Sequence, residues 1–185
     1  MARNIKLEVN QVARRYRRLI NQATEEQLYQ AYTWYDDAHD TASAVADNLS
    51  TSVDVGAAIV AAYSPLCTWT ENKNRAMRYS LGEEVYGVYA SQQKLLEIRA
   101  RGTAALTGLK VTVFAWAILG DPDAVTIDSW MFRAAWNQRA DTRTAPTALD
   151  TVVIVDALNC VAKQMNMSPR DCQALIWIVT RGSHE

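Results

Sequence analysis

Two side chains in the middle of the chain combine reactive types with an orderly setting. Lys110 follows the turn Thr107-Gly108-Leu109, Asp128 follows the break Gly120-Asp121-Pro122, and an apolar segment separates them. They stand eighteen positions apart. A carboxylate fixed in a poorly hydrated pocket stabilises developing positive charge far better than water does. A lysine amine attacks an electrophilic carbon when burial or a nearby cation exposes its lone pair. Plain structural readings stand beside these, because an aspartate ahead of a helix is a common cap and a lysine in the first turn of a surface helix ordinarily points into solvent.

The elements that must position these groups read as helices throughout, with no stretch of strict alternation, so an all-α fold of about eight to ten helices is expected. Val9, Val12, Tyr16, Leu19 and Ile20 recur every three or four residues and predict a basic amphipathic helix over residues 5–21. Thr24 with Gln27 forms a capping-box pattern for a second helix ending near Asn48. Asp54 is placed to cap a third, Val55 to Tyr63, whose all-round apolar character says it crosses the core. Pro65 ends it.

Thr68 opens a polar helix to about Ser80, and Ser91 another to Arg101 that Gly102 stops. A short helix before Gly108 and a second over Leu109 to Leu119 would make a hairpin spanning about 103–119. Asp128 would cap a helix to about Arg139, followed by a loop from Asp141 to Pro146. Ala148 to Met165 and a final helix, capped by Ser168 with Pro169 at its first position, complete the chain.

Composition narrows the class. At 185 residues with 49% hydrophobic and 21% charged residues, the chain fits one globular domain able to bury a core. No apolar run reaches the ~18 residues a membrane span requires, and the first ten residues lack a signal peptide's apolar core. A cytoplasmic protein is expected, in a host cell if the source is viral. Cys67, Cys160 and Cys172 are odd in number and scattered, which argues against a disulfide framework or zinc site and for thiols acting as small buried hydrophobes. No metal or other cofactor is expected.

Net charge is −1, yet residues 1–20 carry Arg3, Lys6, Arg14, Arg15, Arg17 and Arg18 against Glu8 alone. A polyanion would therefore have to meet a local patch. A solvated helix face is the bland alternative for the arginine cluster.

Gly108, Lys110, the pair Ile127-Asp128 and Arg133, in this order and spacing, resemble the helix-hairpin-helix DNA glycosylases of the endonuclease III kind. Their hairpin runs Leu-Pro-Gly-Val-Gly-x-Lys and is followed by a helix and then Val-Asp-Thr-His. Leu106 replaces the first hairpin glycine. The four-cysteine iron-sulfur loop of many such relatives is missing. The block Trp34-Tyr35-Asp36-Asp37-Ala38-His39, Ser64-Pro65 with Trp69 and Asn72, Gly120 to Asp128, and Gln173-Ala174 with Trp177 are similar to recurring features of glycosylase-like proteins of actinobacterial bacteriophages.

The resemblance implies a partner, double-stranded DNA with a damaged or modified base, and a set of roles. Asp128 would stabilise the sugar cation as the base departs, and Lys110 would attack the sugar and form a Schiff base, giving lyase activity. Thr107, Gly108 and Leu109 would hold a backbone phosphate, aided by Arg14, Arg15 and Arg18. Leu66 stands where the family inserts a glutamine into the base stack, and an apolar wedge can do the same work. Trp69 and Asn72, on one helical face, would stack on and hydrogen-bond an extruded base, with core packing as the alternative for Trp69. His39 is a secondary candidate for proton handling, since only it and His184 titrate near neutrality by type. Two rival activities are a base-modifying transferase that attaches an amino acid or amine to an activated hydroxymethyl pyrimidine, and a DNA-binding or interaction protein without chemistry.

Overall fold

The computed structural model describes residues 4–136 and 146–182, and all regular structure among them is helical. In chain order the elements are α1 (Ile5–Ile20), α2 (Glu25–Asn48), α3 (Val53–Tyr63), α4 (Trp69–Ser80), α5 (Gln92–Arg101), a 3-10 turn (Gly102–Ala105), α6 (Leu109–Ile118), α7 (Ser129–Trp136), α8 (Ala148–Met165) and α9 (Pro169–Arg181). No helix among the described residues is long and apolar enough to cross a membrane.

Short polar side chains set the helix starts, as their positions predict. Thr24 and Gln27 exchange bonds of 3.1 and 3.2 Å at the start of α2, and Thr68, Ser91 and Ser168 cap α4, α5 and α9. Thr147 and Asp150 add a capping box on α8. Each such cap is worth about 1 kcal/mol.

Asp54 departs from its expected role. Helix α3 starts two residues earlier, behind Ser52, and the Asp54 carboxylate accepts instead from the Thr103 amide at 3.0 Å and hydroxyl at 2.7 Å. It thereby pins the 3-10 turn. Gly102 makes that approach possible, with φ +56° and a carboxylate oxygen 1.6 Å from where a Cβ would stand. The helix expected just before Gly108 is this turn, which ends before Leu106. The predicted end of α7 near Arg139, most of the loop after it, Arg3 and His184 lie outside the described residues.

The chain packs as two units. The first, Met1–Thr33 with Val125–His184, packs α1 chiefly on α8, and α7 and α8 on α9. Val12, Ala13, Tyr16 and Ile20 line the buried face of α1; α8 contributes Val153, Ile154, Ala157, Leu158 and Val161. Tyr16 is wholly buried, and its hydroxyl donates to the Met131 carbonyl at 3.2 Å. Burial, then Cys172 and Asp128, pushes that hydroxyl well above its ordinary pKa.

The second unit, Trp34–Ala124, is built on α3, whose residues from Val55 to Tyr63 are all buried. Helices α4, α5 and α6 and the 3-10 turn pack on it. A Cβ at Gly56 would stand 2.0 Å from the Ala42 carbonyl oxygen, so α2 and α3 touch backbone to backbone there. Of the three thiols only Cys172 is fully buried; Cys67 is partly exposed and Cys160 exposed. The expectation of three buried thiols holds at Cys172, only in part at Cys67, and fails at Cys160, which is exposed on α8.

Candidate functional site

Asp128 is the best-defined polar centre of the first unit. One carboxylate oxygen accepts the Trp130 and Met131 amides at 2.9 and 3.0 Å, capping α7, where the helix dipole favours negative charge. The other accepts the indole N–H of Trp177, from α9, at 3.1 Å. The capping reading is therefore correct and accounts for one oxygen; an indole orients the second. Arg133 lies over the Trp130 ring, its guanidinium carbon 4.5 Å from the centroid, and Arg181 over Trp177 at 4.9 Å. Both tryptophans that bond to Asp128, one through its backbone amide and one through its indole nitrogen, thus carry an arginine on the ring. Residue-by-residue reading missed the Trp177 contact, which bridges 49 residues. The spacings Trp130 to Arg133 and Trp177 to Arg181, however, are the helical i, i+3 and i, i+4 neighbours that signal such stacks.

Of the basic residues of α1, Lys6, Arg14 and Arg18 are exposed. Arg15 donates to the Ala135 carbonyl at 3.1 Å, near the end of α7. Its part is internal.

In the second unit, Gly108 precedes α6 with ordinary extended angles and no capping side chain. The Thr107 amide donates to the Tyr89 hydroxyl oxygen at 2.8 Å, and the Thr107 hydroxyl lies 3.0 Å from the same atom. A tyrosine oxygen thus sits on the turn amide expected to grip phosphate. Burial raises the pKa of Tyr89, but hydrogen bonds from the Thr107 side chain and amide and the Gly108 amide, with Lys94 nearby, outweigh it and hold the hydroxyl below its ordinary value. Leu109 and Lys110 are exposed, and Lys110 is placed as an ordinary solvated first-turn lysine. Tyr89 carried no sequence signal, being separated by 18 residues from its partner.

Leu66 is 91% exposed and sits at φ +59° in the turn between α3 and α4. Non-glycine residues avoid that region. The neighbouring Cys67 thiol donates to the Tyr63 carbonyl at 3.0 Å. Burial raises its pKa, against which Arg75 and Lys110 act.

Trp69 and Asn72 share a face of α4 as their spacing predicts, but both are buried, at 6% and 2% exposure. The Trp69 indole donates to Asp37 at 2.7 Å, Lys73 joins the same carboxylate oxygen at 2.9 Å, and Trp34 lies 5.1 Å from the Trp69 ring. Core packing accounts for Trp69. The Asn72 side-chain oxygen is buried without a hydrogen-bond partner. His39 is exposed, and its Nδ1 lies 3.0 Å from the Ile118 carbonyl, which can only accept, so the ring donates there to the end of α6. Trp116, on that same stretch, is 44% exposed and lines an open hollow with Leu119 and Asp121.

Lys110 belongs to the second unit and Asp128 to the first. Within the first unit the structure gathers Asp128, Trp130, Arg133, Trp177 and Arg181. The second holds Leu66, Cys67 and Lys110. No curated protein and no solved structure matches the chain. Residues 1–184 match the model of a family of unknown function, DUF7178, and the chain belongs to that family.

Proposed function

We propose that this member of the DUF7178 family is a DNA glycosylase-like enzyme that binds double-stranded DNA and acts on an extruded, damaged or modified base. The observation that carries the reading is Leu66. A large apolar side chain left 91% in water, on a backbone held at φ +59°, costs the fold and gains it no packing. A base stack offers such a side chain burial, and insertion would displace the nucleotide to be treated. Lys110, exposed in the same unit, adds positive charge for the strand to meet.

Asp128 supplies the chemistry in this reading. The departing base leaves positive charge on the sugar, and a carboxylate already oriented by three N–H donors needs no reorganisation to stabilise it. The turn at Thr107, Gly108 and Leu109 takes a phosphate in place of the Tyr89 hydroxyl, and Arg14 and Arg18 add exposed positive charge on α1. Lys110 is the candidate for a Schiff-base, strand-nicking step.

The test is base release from a panel of damaged and hypermodified duplexes. Asp128→Asn should slow release by orders of magnitude while leaving DNA affinity largely intact, since its main effect is on transition-state charge. Borohydride should trap a covalent complex that Lys110→Ala abolishes. A wild-type protein that releases no base and traps nothing overturns the reading. Incorporation of a labelled amine would then support the transferase, whereas binding without turnover would support the non-catalytic protein.

A further inference from the structure

Most cations that the structure pairs are held by carboxylates: Lys73 by Asp37, Arg75 by Glu71, Arg78 by Glu83, Lys94 by Glu97 and Arg170 by Asp171, at 2.7 to 3.1 Å. Arg133 and Arg181 are held differently. Each lies on an indole face, and among the described residues neither has a carboxylate partner. The Nε atom of Arg133 is buried without a hydrogen-bond partner. An indole orients a guanidinium without neutralising it, and does not occupy the in-plane N–H donors that a planar or tetrahedral oxyanion takes.

The two tryptophans are also tied to one carboxylate. Trp130 reaches one oxygen of Asp128 through its amide, and Trp177 reaches the other through its indole nitrogen. A carboxylate alone would repel a polyanion; guanidinium groups held on the two tryptophans that bond to it would offset that repulsion. The arrangement matches an anion that must approach a carboxylate closely.

We propose that the Trp130–Arg133 and Trp177–Arg181 stacks are two phosphate seats that hold phosphodiester groups of the strand whose nucleotide faces Asp128. The proposal rests on the glycosylase reading for the identity of the anion as DNA. Each arginine donates to non-bridging phosphate oxygens through its edge, a charge-assisted pairing for which the guanidinium fork is suited. Trp177 has a double part, orienting Asp128 through its nitrogen and Arg181 through its ring.

The experiment is fluorescence anisotropy with a short duplex carrying a central tetrahydrofuran abasic analogue, titrated across salt. Loss of one phosphate contact lowers the slope of log affinity against log salt by ~0.9. Arg133→Gln and Arg181→Gln should each lose that amount and the double variant ~1.8, while the Lys variants, which keep the charge, should retain a slope near wild type. Lys163→Gln, at an exposed position on α8, should leave the slope unchanged. If the Gln variants keep the wild-type slope, or Lys163→Gln loses as much, the seats are refuted while DNA binding stands. If the slopes fall as expected but no base is ever released, the seats stand and the glycosylase chemistry falls. A wild-type affinity insensitive to salt overturns both. Thermal unfolding of each variant, with the Lys forms as folded references, separates lost contacts from lost structure.

Discussion

Leu66 shows how a single residue can record a demand that the fold does not make. An asparagine tolerates the left-handed region better than leucine, whose branched side chain crowds the backbone there. With the side chain exposed, Leu66→Asn forfeits almost no burial. The substitution should therefore hold or raise stability, by up to ~1 kcal/mol in urea unfolding, while abolishing base extrusion as read by 2-aminopurine fluorescence in a bound duplex. A variant that is less stable yet extrudes the base normally would sink the wedge reading. Legibility at this scale followed distance along the chain. Asp128 as a cap was readable from Asp-Ser-Trp alone, but its bond to Trp177 was not, because 49 residues intervene and only folding brings them together. The same holds for Tyr89 on Thr107 and for Asp54 on Thr103.

At the scale of elements, helix starts were legible because capping is local: Thr24, Thr68, Ser91 and Ser168 act within three residues of themselves. Asp54 looked like a cap by the same rule and failed, since its carboxylate found a stronger pair of donors on the 3-10 turn. That turn depends on Gly102. An alanine there meets both a backbone conformation that L-residues avoid and an oxygen at 1.6 Å, so Gly102→Ala should destabilise by about 2–4 kcal/mol. Asp54→Asn keeps the shape and one acceptor, and should cost about 1–2 kcal/mol. Chemical denaturation orders the two; equal losses would mean that the glycine is needed only for space around the carboxylate.

For the molecule as a whole, charge and burial make separate predictions. The excess of arginine in α1 is split by structure: Arg14 and Arg18 are exposed, whereas Arg15 binds the Ala135 carbonyl. Arg14→Gln and Arg18→Gln should each lower the salt slope of duplex binding by ~0.9, while Arg15→Gln should lower the melting temperature with a smaller change in slope. Burial sets the alkaline limit. The Cys172 thiol, wholly buried, is pushed from its ordinary 9.0 up to about 12, and Tyr16 and Tyr63 are raised by burial as well. Their neutral forms are favoured in the fold, so this stability is complete below the unfolded pKa and is lost as pH climbs through the folded one. Melting temperature should fall progressively above pH 9, and less steeply in Cys172→Ala. An identical pH profile for that variant would assign the loss to the tyrosines.

The contact between Gly56 and the Ala42 carbonyl has a mechanical consequence. It is a fulcrum: α3 can neither slide along α2 nor tilt away without opening or closing a backbone contact that leaves no room for one extra carbon. Helix α3 runs seven residues beyond it, a rigid arm of about 10 Å, and the Leu66 turn hangs from the far end. A small rotation at the fulcrum is carried along the arm and displaces the leucine tip sideways, although nothing near that tip has changed. Gly56→Ala would in this way alter the aim of a surface residue from deep inside the protein, and a substitution invisible from the surface would be felt first as a misdirected side chain.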